Sequence, residues 1–327
     1  YYQSFQEDSM ITHISHTLAQ QIVNTIKDVC SYDINFINPS GTIIASTNSA
    51  RIGTYHEIGR KAAVTGTTIE VAESDNFTGT RQGINMPLYH EDCLLAVIGI
   101  TGSVGKTTTK DLMKALLAHI GPTIAPVGSF NNEIGLPLTS LKVHAETRFL
   151  VAEMGANHVG EIANLTSLVP PDIAVVLKVG VAHLGEFGSP ERIAQAKSEI
   201  IRGLVPGGLS VLNANDEHVA AMSAIAPGDV MWFGLPQNND GKPAISARHV
   251  HCDELDHPSF ILDNGDGEHA EVTLGICGQH NVMNALAAAS VAMHLGMSMD
   301  EVASALSDVT AISPHRMAVS TVHKPET

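Results

Sequence analysis

The sequence predicts an α/β protein: a mostly parallel sheet with a phosphate-binding loop, preceded by a small α+β unit. An apolar run at 94–100 is followed by a glycine-rich loop and then by a helical pattern of apolar residues. This order of strand, loop and helix is typical of nucleotide-binding α/β folds. The chain is 44% hydrophobic but only 4% aromatic, which favours cores of aliphatic residues around buried parallel strands. Its 327 residues leave room for two domains.

The glycine-rich loop reads Gly-Ile-Thr-Gly-Ser-Val-Gly-Lys-Thr over 99–107. Its glycines allow successive backbone N–H groups to face one anion, Lys106 adds a positive charge, and the Thr107 hydroxyl can bind Mg²⁺. Gly99 lies one residue too far from Gly105 for the common GxxxxGK spacing, so we expect Thr101 or Gly102 to open the turn. The pattern predicts a nucleoside triphosphate site. Its predicted binding residues are Gly102, Ser103, Gly105, Lys106, Thr107 and Thr108.

Composition excludes several other classes of protein. The net charge of −16, without a local basic patch, argues against a nucleic-acid surface. Four scattered cysteines form no CxxC pair, so structural zinc and a disulfide framework are not expected, and a reducing compartment is favoured. No apolar stretch has transmembrane length, and the first ten residues do not read as a signal peptide. We therefore expect a cytoplasmic protein with no membrane partner.

The first hundred residues predict a small α+β module of the sensor type, similar to PAS or Cache domains. Apolar residues spaced by three and four predict a helix over 10–30. Two short β-rich runs around Asn-Pro-Ser-Gly (38–41) predict a hairpin. A second helix is expected near 56–65. Further strands are expected at 67–72, 84–89 and 93–100.

The rest of the chain predicts alternating strands and helices. Strands are expected at 149–152 and 173–179, a small β excursion over 236–271 with strands at 244–251 and 258–263, and helices at 285–295 and 299–306. Glu153 follows the first of these strands, which would place its carboxylate at the carboxyl edge of the sheet, beside the phosphate loop. A carboxylate there suits Mg²⁺, although a purely structural glutamate is the alternative.

Residues 10–102 resemble the sugar-diacid recognition domain of bacterial carbohydrate-diacid regulators. The matching stretches are LAQQIV (18–23), GTIIAST (41–47), ARIGTYHE (50–57), GINMPL (83–88) and AVIGITG (96–102). The resemblance implies a site for a small dicarboxylate or hydroxy acid, and the guanidinium fork of Arg51 suits a carboxylate. The alternative is that Arg51 and His56 only satisfy a loop. The implied ligand residues are Arg51, Gly53, His56, Asn85 and Pro87.

Residues 97–320 resemble the central ATP-binding domain of the Mur ligases. The stretches include GITGSVGKTTTKDLM (99–113), GSFNNEIGLPLT (128–139), AEMGANHVGEI (152–162), AKSEI (196–200), GQHNVMNALAA (278–288) and PHRM (314–317). FNNEIGLP and EMGANH are particular to the branch that adds D-alanyl-D-alanine to UDP-N-acetylmuramoyl-tripeptide. The resemblance implies ATP-driven amide-bond formation through an acyl phosphate, with ATP, Mg²⁺, the UDP-MurNAc-peptide and D-Ala-D-Ala as cofactors and substrates.

The same resemblance implies a role for individual residues. Lys106 would neutralise the β- and γ-phosphates, and Lys197 would carry a CO₂-derived carbamate that binds a second Mg²⁺. For Lys197 the alternative is a surface salt bridge on a helix. The implied metal site consists of Thr107, Glu153, His183 and Lys197, and the catalytic group also includes Asn157 and His158. The implied nucleotide contacts come from Asn281, Asn284 and either Asn131 or Asn132 at the adenine, and from Arg316 at the γ-phosphate.

The two resemblances meet in the shared tetrapeptide GITG (99–102). We interpret the chain as a diacid-recognition-like domain (1–98), a Mur-ligase central domain (99–320) and the start of a third domain (321–327). A spliced or engineered junction is the favoured interpretation, and a natural fusion is the alternative. We expect such a chain not to complete the ligation by itself. The competing function is a sugar-diacid sensor joined to a nucleotide-binding domain.

Overall fold

The computed structural model describes most of the chain and divides it into two compact units. The first unit comprises Tyr1–Leu94 with Val143–Glu146, and the second comprises Leu95–Lys142 and Thr147–Thr327. The second unit begins before the strand that leads into the phosphate loop, so that strand and loop belong to one body. The described residues are 16–27, 33–38, 40–65, 69–71, 83–85, 96–144, 146–180, 184–236, 244–310 and 312–313.

The first unit contains the predicted helices and hairpin. The hairpin is antiparallel, and the Asn38 side chain accepts a hydrogen bond from Thr42 N at 2.8 Å inside its turn. Ala19 and Val23 of the first helix are buried, as is Ile43 of the hairpin. The likeness to PAS or Cache domains stays a prediction. The elements are α1 (His16–Lys27), β1 (Asn35–Ile37), β2 (Ile43–Ser46), a 3₁₀ helix (Ser49–Arg51), α2 (Glu57–Thr65), β3 (Ile69–Val71) and β4 (Gly83–Asn85), with β3 and β4 antiparallel.

Nine strands of the described residues form one mostly parallel sheet in the second unit, in the order β13-β12-β11-β10-β9-β8-β5-β7-β6. The pairs from β6 to β11 are parallel, and β11, β12 and β13 are antiparallel neighbours. The predicted α/β class is therefore confirmed. The strands are β5 (Ala96–Thr101), β6 (Thr123–Ile124), β7 (Phe149–Glu153), β8 (Ile173–Val176), β9 (Leu209–Asn213), β10 (Val230–Gly234), β11 (Ile245–Cys252), β12 (Pro258–Asp263) and β13 (His269–Thr273).

Helices cover both faces of this sheet, since two separate apolar cores flank it. One core joins the strands to α3, α9 and α10, and the other joins them to α5 and α7. Strands β5, β7, β8 and β9 are buried along their whole length, as expected for parallel strands covered on both faces. The helices are α3 (Lys106–Leu117), α4 (Gly135–Ser140), α5 (Glu161–Leu168), α6 (Leu184–Phe187), α7 (Pro190–Arg202), α8 (Glu217–Ala220), a 3₁₀ helix (Ala221–Ile225), α9 (Asn281–His294) and α10 (Met299–Asp308).

The strand order creates a topological switch point at β5. From β5 the chain passes to β6 and β7 on one side, and then crosses to β8 on the other side. In open parallel sheets, ligands bind at the carboxyl ends of the strands where the order reverses. The phosphate loop follows β5, and Glu153 is the last residue of β7. The topology therefore places the predicted phosphate and metal groups at one edge.

Strands β6, β9 and β10 were not individually predicted, and three other elements also differ from the sequence prediction. Strand β8 ends at Val176, three residues early; after Leu177 the backbone bonds to Ser103 through Lys178 O and to Asp216 through Val179 N instead of to a strand. The β excursion contains a third strand, β13, and α9 begins at Asn281, four residues early. Across the described part of the chain, we find no helix that is long and apolar enough to span a membrane.

Candidate functional site

The phosphate loop runs from Gly102 to Thr107. Gly105 has φ 85°, a left-handed conformation that favours glycine, and a Cβ there would lie 2.3 Å from Asn284 Oδ1. Gly102 opens the turn directly after β5, as one of the two predicted alternatives, whereas Gly99 is part of the strand. Lys106 Nζ donates to Gly102 O at 2.8 Å, so the side chain folds back over the loop. This arrangement puts the lysine at the N-terminus of α3, where backbone N–H groups favour anions.

The loop is attached to the segment that follows β8. Ser103 N donates to Lys178 O at 2.8 Å, and the Ser103 hydroxyl accepts from Gly180 N at 2.9 Å. Asp216 holds the same segment from the other side through Val179 N, and it also caps α8 through Val219 N at 3.1 Å. These contacts fix Ser103 to the backbone of residues 178–180, which Asp216 holds in turn. Ser103 is therefore placed by tertiary structure as well as by its loop.

Glu153 presents a carboxylate oxygen with no hydrogen-bond partner among the described residues. Its side chain is 1% exposed; Oε1 accepts from Asn131 Nδ2 at 2.7 Å, while Oε2 is buried and unpaired. A buried carboxylate oxygen without a partner is costly. A hard cation such as Mg²⁺ would satisfy it, and Mg²⁺ commonly uses one or two carboxylates together with water and phosphate oxygens. The donor set therefore fits Mg²⁺, although the described residues contain no group of three or more His, Cys, Asp or Glu placed to hold a metal.

A cavity of about 320 Å³ lies beside the loop and brings together residues from distant parts of the second unit. Lys106 comes from α3 and Lys197 from α7, so two cationic side chains line one space. A pair of amines in a shared cavity suits a polyanion such as a phosphate chain. The other predicted residues that line it are Gly102, Ser103, Asn132 and Asn157.

Lys197 is 3% exposed, which makes it an interior group and not a surface lysine. Burial lowers its pKa to about 8; the positive charge of Lys106 adds to this shift, and Glu161 and Glu199 oppose it. Its Nζ lies 3.5 Å from Ala156 O and 5.8 Å from the centroid of the Phe187 ring. A lysine with a near-neutral pKa holds a substantial fraction of nucleophilic amine at physiological pH. The alternative of a surface salt bridge is therefore wrong.

The loop after β7 is held in place by two glutamates that the sequence analysis did not single out. Glu161 accepts from Asn157 N at 2.7 Å and from His158 Nδ1 at 2.8 Å. Burial by itself would raise the Glu161 pKa. The hydrogen bonds from Asn157 and His158 outweigh burial, so the pKa lies below its usual value. Glu199 of α7 accepts from Gly160 N at 2.6 Å and caps the first turn of α5. Asn157 and His158 are exposed, and their catalytic role stays a prediction.

The side-chain amides predicted to contact adenine form hydrogen bonds within the protein. Asn284 accepts from Thr109 Oγ1 at 3.2 Å and donates to Asn281 Oδ1 at 2.8 Å, and Asn281 donates to Cys277 O. This buried chain of hydrogen bonds joins α3 to α9 beneath the phosphate loop. Asn132 Oδ1 accepts from Gly135 N at 2.9 Å at the start of α4. Contact of these three amides with a base stays a prediction.

The remaining loop residues sit at the start of α3. Thr107 and Thr108 are buried in its first turn, which agrees with a hydroxyl presented next to the phosphate loop. His183 and Arg316 lie outside the described residues, so their predicted metal and γ-phosphate contacts stay predictions.

In the first unit, three of the predicted diacid residues are neighbours in sequence. Arg51 ends the 3₁₀ helix, Gly53 has φ 84°, and His56 precedes α2. His56 is buried, and its Nδ1 accepts from Gly59 N at 3.0 Å, so it acts as a helix cap. Burial, and then the charge of Arg51, lower the His56 pKa. Asn85 ends β4 and is half-buried, while Pro87 lies outside the described residues.

The comparison with protein families identifies both parts of the chain. Residues 100–292 match the model of the Mur ligase middle domain, which is more than half of the chain. Residues 14–113 match the model described as "Putative sugar diacid recognition". The two matches overlap over 100–113, across the phosphate loop and the first two turns of α3.

Individual relatives agree with the first match. A UDP-N-acetylmuramoyl-tripeptide--D-alanyl-D-alanine ligase of Mycobacterium tuberculosis is 50% identical over 227 residues, 69% of this chain and 44% of that protein. The crystal structure of MurF from Acinetobacter baumannii matches with TM-score 0.60 and 35% identity over 65% of this chain and 45% of its own. MurF of Thermotoga maritima in complex with ADP matches with TM-score 0.60 and 30% identity, over 68% of this chain and 50% of its own. The chain thus spans about half the length of these relatives. Because the Mur ligase middle domain model matches more than half of the chain, and the phosphate loop and these relatives agree with it, the chain belongs to the Mur ligase family.

Proposed function

We propose that the second unit binds ATP with Mg²⁺ and serves the ligation of D-alanyl-D-alanine to UDP-N-acetylmuramoyl-tripeptide in peptidoglycan precursor synthesis. The observation that carries the proposal is the cavity in which Lys106 and Lys197 converge beside the phosphate loop. The M. tuberculosis relative is named for this reaction, and the T. maritima relative was solved with ADP. When bound, ATP·Mg²⁺ would supply phosphoryl activation of the substrate carboxylate, which prepares it for attack by an amine.

The contribution of the chain to this reaction is charge and position. In phosphoryl transfer the protein chiefly orients groups and stabilises negative charge. Lys106, with the N–H groups at the start of α3, would hold the phosphates, and Thr107 with Glu153 Oε2 would hold the metal. Lys197, which lines the same cavity, would neutralise the reacting carboxylate as an ammonium or hold a second Mg²⁺ as a carbamate. Ser103 keeps the loop in place through Lys178 O and Gly180 N.

Calorimetry with ATP and Mg²⁺ on the whole chain tests this proposal. We expect one saturable site per chain, with binding that weakens when Mg²⁺ is removed. Phosphate release in the presence of the UDP-muramoyl-tripeptide and D-alanyl-D-alanine then tests the substrates. Absence of any binding of ATP·Mg²⁺ would overturn the proposal for the second unit.

A carbamate on Lys197 is the finer part of this proposal. A lysine carbamate forms from the neutral amine and CO₂, and a pKa of about 8 makes that amine available near neutral pH. Carbamylation would replace a cation by an anion in the cavity and so give Mg²⁺ a second ligand. The nearby Lys106 would compensate the new charge.

We expect ¹³C-bicarbonate to produce a carbamate carbonyl signal in the NMR spectrum of the chain, and Lys197→Met to remove it. Lys114 lies exposed on α3, and Lys114→Met is the matched control that should leave the signal unchanged. If the signal is absent from the unmodified chain at saturating bicarbonate, Lys197 acts as an amine and the carbamate is excluded.

A second function is proposed for the first unit, because its sequence matches a sugar-diacid family over 14–113. We propose that it binds a small hydroxy-dicarboxylate through Arg51. A buried carboxylate that loses its charged partner costs about 2–5 kcal/mol of binding free energy. Arg51→Ala should therefore abolish measurable binding of C3–C6 hydroxy acids in calorimetry, whereas Arg60→Ala, an exposed arginine of α2, should not. If no acid of the panel binds the unmodified chain, this function is wrong.

A further inference from the structure

Lys110 is a fully buried lysine that the proposed reaction does not use. It lies one helical turn after Lys106 on α3 and is 1% exposed. Its Nζ donates to Pro126 O and to Gly128 O, both at 2.8 Å, and lies 2.8 Å from Asp111 Oδ1. A buried ammonium is costly unless its hydrogen-bonding capacity is filled. These three contacts, with a longer one of 3.5 Å to Ser313 Oγ, fill it, so the side chain is committed to this one position.

Two of the partners of Lys110, the Pro126 and Gly128 carbonyls, belong to a segment that is largely exposed beyond the buried Pro126. Val127 is 70% exposed and Phe130 is 57% exposed, so neither side chain packs into a core. The two carbonyls that accept from Lys110 attach residues 126–130 to α3 by hydrogen bonds. Asp111 extends the attachment to a second segment, because its Oδ2 accepts from Ser313 N at 2.9 Å.

The same segment leads directly to the group that holds the metal-binding carboxylate. Asn131 follows it, and Asn131 Nδ2 donates to Glu153 Oε1 at 2.7 Å. The Asn131 carbonyl also accepts from Gly155 N at 2.8 Å, so both of its polar groups contact the end of β7. With Oε1 held by Asn131, the unpaired Oε2 has one defined direction.

We propose that Lys110 is a positioning residue for the Mg²⁺ site: it holds residues 126–130 on α3 so that Asn131 orients the Glu153 carboxylate. This inference rests on the proposed function of the second unit, because it needs Mg²⁺ and ATP to bind there. Lys110 itself does not line the cavity and would contact neither ligand. Its influence passes through the backbone of the segment and the amide of Asn131.

The test measures the Mg²⁺ concentration that half-restores tight ATP binding, by calorimetry on the full chain well below its melting temperature. Replacement of a group that orients a metal ligand weakens metal affinity about 10- to 100-fold. We expect Lys110→Met to raise the Mg²⁺ midpoint about tenfold and Asn131→Ala about 10- to 100-fold. Binding of ATP without Mg²⁺ should change less than about twofold, because the phosphate loop is intact.

Three further variants separate positioning from stability. Lys114→Met, one turn further along the exposed side of α3, should leave the midpoint unchanged. The double variant Lys110→Met/Asn131→Ala should be no worse than Asn131→Ala alone, because both changes act through one contact. Lys110→Gln keeps a hydrogen-bond donor, in the form of an amide, and should give an intermediate Mg²⁺ midpoint. This variant replaces Lys110→Met if Lys110→Met does not fold.

The outcomes distinguish the inference from the function on which it rests. If the unmodified chain binds ATP without any dependence on Mg²⁺, both are overturned. If it binds with a clear Mg²⁺ midpoint and Lys110→Met or Lys110→Gln keeps that midpoint while only melting earlier, Lys110 is structural and the inference alone is wrong. Additive effects in the double variant also overturn it, because they would mean that Lys110 does not act through Asn131.

Discussion

Lys106→Ala is expected to abolish the stabilisation of the second unit by ATP·Mg²⁺. A ligand at about 100 times its dissociation constant stabilises the domain that binds it by about 2.7 kcal/mol. For a domain of this size, that free energy corresponds to a melting shift of about 5–10 °C. Lys106 is the cation of the phosphate loop, and it lines the same cavity as Lys197. Without it the phosphates would lose their principal positive partner, so the variant should melt at the same temperature with and without nucleotide.

Differential scanning fluorimetry at saturating ATP and Mg²⁺ measures this shift. Lys114→Ala is the matched control, because Lys114 lies on the same helix but is exposed; its ligand-induced shift should equal that of the unmodified chain. A full shift in Lys106→Ala would mean that the nucleotide binds elsewhere and that the phosphate-loop assignment is wrong.

Lys197→Met is expected to stabilise the second unit at neutral pH and to lose that advantage at high pH. Burial lowers the Lys197 pKa from 10.5 to about 8, so the folded state disfavours the charged form. Each unit of pKa corresponds to about 1.4 kcal/mol, and the charged lysine therefore costs about 3 kcal/mol of unfolding free energy. Methionine has a similar length and carries no charge, so replacement of Lys197 by methionine removes this cost.

The pH dependence follows from proton binding in the two states. Below about pH 8 the lysine is protonated both folded and unfolded, and the full cost is present. Between about pH 8 and 10.5 the unfolded state binds more protons, so the stability of the unmodified chain rises with pH. Above that range the cost has disappeared, and the two proteins should unfold with similar free energies.

Urea unfolding at pH 7, 9 and 11 in CO₂-free buffer measures this difference, since a carbamate would alter the charge. Lys114→Met should change the free energy of unfolding by less than about 0.5 kcal/mol at each pH, as is usual for surface positions. A difference between Lys197→Met and the unmodified chain that stays constant from pH 7 to 11 would show that Lys197 is not the titrating group.

Local sequence was sufficient to predict a structural element wherever the residues that define the element lie in one segment. The glycines and Lys106 of the phosphate loop lie between a buried strand and a helix, and the structure has the same order of β5, loop and α3. Glu153 at the end of an apolar strand was predicted to reach the same edge, and it is the last residue of β7. Strand–loop–helix patterns are encoded by neighbouring residues, which is why a single sequence reveals them. The extra strand β13 was missed because its five residues alternate but include only two apolar side chains, the small Ala270 and Val272.

The sequence by itself therefore determined the α/β class, the phosphate loop and the acidic residue beside it. Only the tertiary structure decided which distant side chains meet there. Lys197 reaches the cavity of Lys106 because α7 packs on the sheet, and burial then sets its pKa. Asn131 turns its amide to Glu153, and Lys110 bonds to the segment that precedes Asn131. Such contacts join segments far apart in sequence, and their strength comes from burial and exclusion of water, which no local pattern of residues records.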